Sequence, residues 1–337
     1  MAATDCDVIV IGAGLAGVHA ALTLEGVGMR VLVLEAQQRV GGRIHSMRQL
    51  GGTAEAGGTY IGAGYARDVS ALLLLFRGAF SKSQRALAPA DSLGFTARHG
   101  VQRIPEAMAA ALTRGVELGH EVAAISLEPT EATVACTNGR RFRASHVVAA
   151  VPTGVLRRIA IDPKLPAAQA QAVATLPSQP LTQVYLAPRS RFWEHDGYAP
   201  SLFTDTRAGM LAAARNRDNP AEVTSLTAWI TGTTAAELDR LPAAEAGRAV
   251  IGAIETLRPA AQGQLELLGL HSWGADAYAA GAWAYFRPGE VTRFAAVLGV
   301  PHGRLYFCGE HLATTSRGME GAMESAEEAA AAILEHA

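Results

Sequence analysis

Glycines and one carboxylate carry the first chemistry in this chain. The apolar run at residues 8–11 ends at Gly12-Ala13-Gly14-Leu15-Ala16-Gly17, and in that spacing each glycine has a physical task. The first permits a tight turn out of a strand, the second lets backbone N–H groups approach a diphosphate, and the third lets a helix pack closely on the strand. The helix expected from Leu15 to Gly26 points its positive end at those phosphates. A second apolar run, Val31–Leu34, ends at Glu35, about 20 residues on, where a carboxylate accepts hydrogen bonds from ribose hydroxyls. Strand, glycine turn, helix, strand and acid in that order describe a dinucleotide site, which FAD or NAD could fill.

Two further glycine-rich segments add to it. In Arg39-Val40-Gly41-Gly42-Arg43, two arginines beside a glycine pair can neutralise a diphosphate while backbone amides approach it. In Glu55-Ala56-Gly57-Gly58-Thr59-Tyr60-Ile61-Gly62, the absence of side chains lets backbone lie flat on a planar ring. Near the other end, residues 305–308 read as a strand, Gly309-Glu310 as its turn, and Gly318-Met319-Glu320-Gly321 as the start of an alanine-rich helix. Aimed at the pyrimidine edge of a flavin, that helix N-terminus would stabilise the negative charge of the reduced ring.

With these blocks in this order, the chain resembles the flavin-containing amine oxidase family, which includes monoamine, polyamine and L-amino-acid oxidases. The resemblance covers roughly the first 65 residues, a middle block and the last 60 or so. It implies non-covalent FAD, with Glu35 on the adenosine ribose, Arg43 near the diphosphate and flavin, Gly57, Gly58 and Thr59 near the ring, Val122 meeting adenine through its backbone, and Glu310 on the ribityl chain. The candidate cofactor contacts are completed by Gly12, Gly14, Leu15, Ala16, Gly17, Ala36, Arg39, Gly41, Gly42, Gly309, Gly318, Met319 and Ala322. The candidate catalytic or substrate-wall residues are Gln183, Trp283 and Tyr60. The implied reaction is oxidation of an amine or amino-acid C–N bond to an imine by hydride transfer to flavin, with O2 as acceptor giving H2O2. A desaturase or isomerase of related fold, an amine dehydrogenase, and a non-catalytic FAD-binding partner protein are the alternatives.

Three departures from the family pattern set those alternatives. Gln183 stands where the family carries a lysine that holds a water against the flavin. Trp283 supplies one wall of the family's aromatic cage, but Gly318 occupies the second, and Ala282 lies where some members carry the cysteine that bonds FAD. The long helical insertion expected after residue 80 is reduced to residues 81–98, which leaves the site open to solvent, a bulky substrate, or cover by a second subunit. An amino-acid substrate needs a cation for its carboxylate, with Arg67, Arg77, Arg287 and Arg317 as candidates. His311, beside Glu310, reads as a hydrogen-bonded structural residue.

The elements that must position these residues form an α/β chain: a Rossmann-like FAD-binding domain (1–80, 99–176 and 274–337) interleaved with a smaller mixed-sheet α+β substrate domain (81–98 and 177–273). Strands are expected at 116–122, 124–127, 133–136, 147–151, 182–187, 223–230 and 265–273, with Asn138-Gly139 as a hairpin turn. Helices are expected at 235–241 and Ala243–Leu257. With 337 residues, 49% apolar and 18% charged, the composition is that of a globular protein. A net charge of −2 gives no field for nucleic acid or an anionic membrane. No leader or membrane span is read in it, and the three cysteines are expected to be reduced thiols in a cytoplasmic protein. The ten histidines show no metal-ligand spacing. Because Ala282 cannot form a thioether, acid precipitation should release the flavin into the supernatant; flavin retained in the pellet would contradict the assignment.

Overall fold

The computed structural model describes residues 4–50, 54–57, 69–73, 75–76, 79, 97, 99–216, 219, 221–316 and 318–336. Its larger sheet contains β1 (Cys6–Ile11), β2 (Val31–Leu34), β5 (Val116–Glu117), β6 (Val122–Leu127), β7 (Ala132–Cys136), β8 (Arg141–Ala149), β9 (Ala160–Asp162) and β15 (Leu305–Phe307), in the order β5-β2-β1-β8-β7-β6-β9 with β15 also on β8. The runs of Val, Ile and Leu in β1 and β2 are continuous because both faces are covered. Val8 and Val10 face the helix Leu15–Gly26 and the C-terminal helix Gly318–Leu334, while Ile9 and Ile11 face the opposite core with Phe142, Phe294 and Phe307.

The two ends of the chain meet at one edge of this sheet. β1 pairs parallel with β2 and β8, and β15 pairs parallel with β8, so Leu34, Ile11, Ala149 and Phe307 finish their strands in line. Turns leaving those ends are what a ligand meets in an open parallel sheet. β8 has the length to accept two neighbours along one edge, β7 over residues 141–144 and β15 over 147–149.

The first turn shows why its sequence is glycine-rich. Gly12 adopts φ +100°, and a Cβ on Gly17 would lie 1.9 Å from the Gly12 carbonyl oxygen. The helix can sit against the strand end only without that carbon. The two terminal helices also pack closely, through Ala16, Ala20 and Ala21 on one and Ala326, Ala329 and Ala330 on the other.

The strand expected at 116–122 is broken. β5 extends the sheet beyond β2, whereas β6 begins at Val122 in the meander beyond β8. Between them Gly119 turns with φ +71°, and the amides of Gly119 and His120 bond the carbonyls of Gln37 and Glu35 at 3.2 and 2.8 Å. The segment thus crosses the strand ends and brings Glu121 and Val122 beside Glu35.

The second sheet, in the order β11-β12-β13-β10-β14, comprises β10 (Leu181–Pro188), β11 (Leu202–Phe203), β12 (Met210–Arg215), β13 (Val223–Thr231) and β14 (Leu265–Ser272). The expected mixed sheet is antiparallel at every described pairing. One face, with Val184, Leu186, Leu226 and Ile230, packs on the helices Gly232–Leu238 and Ala243–Leu257. The first of these starts earlier than the expected 235–241, because Gly232 at φ +67° turns the chain directly out of β13. The other face, with Leu181, Tyr185 and Trp229, looks toward the ribbon of β3 (His45–Ser46) and β4 (Glu55–Gly57). Among the described residues no helix is long and apolar enough to cross a membrane.

Glu324 organises the approach to the C-terminal helix. Its carboxylate accepts hydrogen bonds from the backbone amides of Thr314, Thr315 and Ser316 and from the Thr315 hydroxyl. Burial pushes its pKa up, but these bonds outweigh it and hold the carboxyl at about 2. An acid with a depressed pKa stabilises the fold above the ordinary carboxylate range and loses that contribution as the pH falls toward its folded value. Glu324→Gln should therefore cost about 1–3 kcal/mol at neutral pH, and the difference from the parent should shrink on acidification to pH 2 in denaturant titrations.

Candidate cofactor and substrate site

Two glycine turns form a cradle at the strand ends. Gly41 donates its N–H to Ala13 O at 2.8 Å, Gly14 and Gly41 form a parallel bridge, and Gly41 and Gly42 adopt φ of +107° and +55°. A Cβ on Gly42 would lie 3.2 Å from the Gly14 Cα, so backbone faces backbone with no side chain between. Leu15 and Ala16 are buried at the helix start beside it. Glu35 is 6% exposed; its Oε2 accepts from Ala13 N at 2.7 Å and its Oε1 from Gln37 N at 2.9 Å. A carboxylate has about four acceptor directions, so two are left for ribose hydroxyls. Burial raises the Glu35 pKa, opposed by the Ala13 and Gln37 amides and by Arg39. Ala36 follows half-buried, and Val122 is buried at the start of β6. The cradle and its carboxylate fit the diphosphate and ribose of a dinucleotide.

A second cluster joins the chain ends. Arg43 Nη1 lies 3.0 Å from Glu310 Oε1 and donates to Ala282 O at 2.8 Å, while Glu310 Oε1 also accepts from Ala284 N at 3.3 Å. Trp283 is therefore held between two residues whose backbones bond the Arg43–Glu310 pair. Gly309 precedes this pair at φ +149°, and a Cβ there would lie 2.6 Å from His311 Cε1. Its N–H and carbonyl both bond the buried Ser325 hydroxyl, at 2.9 and 3.0 Å, which ties the turn to the C-terminal helix. Burial drives the His311 pKa down to about 4, with Glu310 opposing and Arg43 assisting, so the imidazole is neutral near pH 7. Gly318 and Met319 start the helix in exposed positions, and Ala322 packs with Leu15, Ile44 and Val101.

The wall above the cradle is aromatic. Trp229, Trp273 and Tyr185 are buried with Met47, Ala56 and Leu181, and Ala282 and Trp283 pack against them. Gln183 lies on the same face, fully buried, and donates Nε2 to Glu55 O at 2.9 Å. Trp273 Nε1 donates to Ala56 O at 2.6 Å. These bonds fasten β4 to the second sheet, and Gly57 lies so close to Arg43 that a Cβ would fall 1.8 Å from the Arg43 carbonyl oxygen. The Glu55 carboxylate accepts from Val101 N at 2.9 Å and Ser46 Oγ at 2.8 Å. His271, opposite Gln183 in β14, packs on Trp273 with ring centroids 4.3 Å apart; burial and His45 depress its pKa to about 4.

The profile of flavin containing amine oxidoreductases matches residues 15–77 and 65–334. The chain belongs to this family. It is 28% identical over 245 residues to the flavin-containing amine oxidase of Danio rerio, covering 70% of this chain and 46% of that protein. An L-amino-acid oxidase of Bothrops jararacussu is 24% identical over 237 residues, 68% of this chain and 48% of that one. The chain thus spans about half the length of these two relatives. Amine oxidase B of Bos taurus is 24% identical over 455 aligned positions that cover 98% of this chain and 86% of the bovine one. That alignment is longer than the chain, so the bovine protein carries internal residues that this one lacks. Among solved structures, putrescine oxidase bound to putrescine superposes with a TM-score of 0.75 at 20% identity, and cyclohexylamine oxidase from Brevibacterium oxydans with 0.76 at 21%, each covering 98% of this chain and 99% of that one. At these identities the likeness shows the fold. FAD is the cofactor of the family, and the cradle, Glu35 and the Arg43–Glu310 pair are the residues that would hold it.

Of the expected site residues, Gly12, Gly14, Gly17, Glu35, Arg39, Gly41, Gly42, Arg43, Gly309 and Glu310 lie around the strand ends, and Gln183 and Trp283 share the aromatic face. Gly58, Thr59 and Tyr60 lie outside the described residues, as do Arg67, Arg77 and Arg317. Arg287 is engaged by Glu290 at 3.7 Å and by Thr175 O at 3.4 Å. Sequence reasoning did not single out Glu55, Trp273, His271 or Ser325, whose partners are remote in the chain; the glycine-rich turn after Glu55 was the available signal. Because burial raises the Glu35 pKa and ribose hydroxyls favour its ionised form, FAD affinity should fall on acidification through that raised value. Glu35→Gln should bind FAD more weakly at neutral pH and lose that pH dependence, measured by flavin fluorescence titration.

Proposed function

We propose that this chain oxidises the C–N bond of an amine to an imine, the imine then hydrolysing in water, with O2 taking up the electrons as H2O2. Bound FAD supplies the hydride acceptor. The observation that carries the reading is the placement of Trp283, with Ala282 O bonded to Arg43 and Ala284 N bonded to Glu310. One backbone segment thus sets an aromatic ring beside the cofactor-holding pair. The relatives' and neighbours' printed activities, on amines, amino acids, putrescine and cyclohexylamine, support the same chemistry.

The protein's part is to bind, orient and exclude water. Trp283, half-buried, offers an apolar face to the carbon skeleton of a neutral amine, whose α C–H must face the acceptor, and the buried Trp273 and Trp229 back it. Gln183 and Trp273 hold β4 at fixed depth, and Arg43 and Glu310 hold the turn behind it. No side chain is assigned as a base: burial depresses the pKa of His271 and His311 to about 4, so either imidazole is a weak base near pH 7.

The finer points belong to the same reading. FAD is non-covalent because Ala282 offers no thiol. The substrate half comprises residues 81–98 and 177–273, and a second subunit covers it in place of the residues present in the bovine relative. A cytoplasmic location is supported by the three buried free cysteines, Cys6, Cys136 and Cys308.

Peroxide release and anaerobic flavin bleaching with a panel of amines and amino acids test this. Bleaching by monoamines with peroxide on re-aeration is expected; no bleaching by any amine would favour a desaturase or a non-catalytic FAD-binding role. Trp283→Ala should lower kcat/KM about tenfold or more (about 1.4 kcal/mol) while FAD stays bound, because its neighbours bind Arg43 and Glu310 through backbone.

A further inference from the structure

The loop at residues 274–280 leaves the second sheet at Trp273 and crosses to the nucleotide side. Gly281 N bonds Trp273 O at 2.7 Å and closes its base. Inside it, Asp276 Oδ1 accepts from the amides of Tyr278 and Ala279 at 2.8 and 2.9 Å, and Asp276 O accepts from Ala280 N at 2.8 Å. Ala280 is held at φ +51°, a conformation that a non-glycine residue keeps only where its surroundings over-determine it. A Cβ on Gly154 would lie 2.7 Å from the Ala280 Cβ, so the loop rests directly on the turn after β8.

Its contacts divide between the two sheets: Gly274 lies against Asp239 and Pro180, Ala279 packs with Leu181, Tyr185 and Trp229, and Ala277 and Tyr278 between them reach the larger sheet's side. Arg158 donates to Ala277 O, and the Tyr278 hydroxyl donates to Glu121 Oε2 at 3.5 Å. Glu121 immediately precedes Val122, and its neighbour His120 bonds the Glu35 carbonyl through its amide. Tyr278 therefore stands over the place where the crossing segment meets the ribose-binding carboxylate. Arg39 lies in the field of both Asp276 and Glu35, which oppose the lowering of its pKa by burial. The Ala277 and Tyr278 contacts to the larger sheet's side are separate from the packing of Ala279, which sits in the aromatic cluster with Leu181, Tyr185 and Trp229.

We propose that residues 274–280 form a clasp over the adenosine half of the dinucleotide, with Tyr278 as its covering side chain, so that this loop selects FAD over FMN. The adenosine half then packs under the loop, so the amides of 276–280 gain protection with FAD that FMN does not give. The proposal rests on the flavin assignment and is independent of amine chemistry, so its test contains no substrate.

Apoprotein of the parent and of Tyr278→Ala and Tyr278→Phe would be titrated with FAD and, separately, with FMN, following flavin fluorescence. Loss of an aromatic cover over a nucleoside should weaken FAD about tenfold or more in Tyr278→Ala, leave FMN binding unchanged, and be largely restored in Tyr278→Phe. Equal FAD affinity in parent and Tyr278→Ala, or an equal loss for both flavins, would overturn it. If Tyr278→Ala does not fold, hydrogen exchange of the parent decides: amides of 276–280 should slow with FAD and not with FMN, and equal exchange in both would overturn the proposal.

Discussion

The parallel pairing of β8 with β1 on one side and β15 on the other is the constraint on which the rest depends. It brings strands from the two ends of the chain to finish at the same edge. Everything chemical then follows from turns of fixed direction. Gly12 and Gly14 leave β1, Glu35 leaves β2, Ala150 leaves β8, and Gly309 with Glu310 leaves β15. The Arg43–Glu310 pair closes the ring between the first and last of these, at part-buried depth where removing one partner leaves a charge poorly compensated.

The second sheet is attached to this edge by specific bonds. Gln183 to Glu55 O and Trp273 to Ala56 O seat β4 under the aromatic face, and Glu55 in turn holds Val101 and Ser46. Gln183, fully buried, is turned to backbone. Its amide nitrogen is spent on backbone, which makes Gln183 a fastener between the two sheets. The aromatic face and the strand-end edge are consequently joined by direct bonds, with Trp283 tied through both neighbours.

How much of this was legible in the sequence depended on range. The strand, glycine turn, helix and acid from residue 8 to Glu35 were readable because each requirement is local: Gly17 must be glycine against Gly12 O, and Glu35 must end its strand. The antiparallel character of the second sheet was not readable, since period-2 alternation is the same for either pairing direction. The break between β5 and β6 was hidden because Val116, Leu118 and Val122 keep even-numbered spacing across Gly119, where the turn is set by bonds from Gly119 and His120 to Gln37 and Glu35. Ser325 and Glu324 lie in a helix that reads as alanine-rich filler; their partners, Gly309 and residues 314–316, are known only once the helix packs back on the turn.

Both chain ends would grip one FAD through the shared Arg43–Glu310 pair. A double-mutant cycle on Arg43→Ala and Glu310→Ala, read as FAD affinity by isothermal titration, measures that grip. The double variant should lose little more affinity than either single variant, a coupling of about 1–3 kcal/mol. Losses that simply add would contradict it.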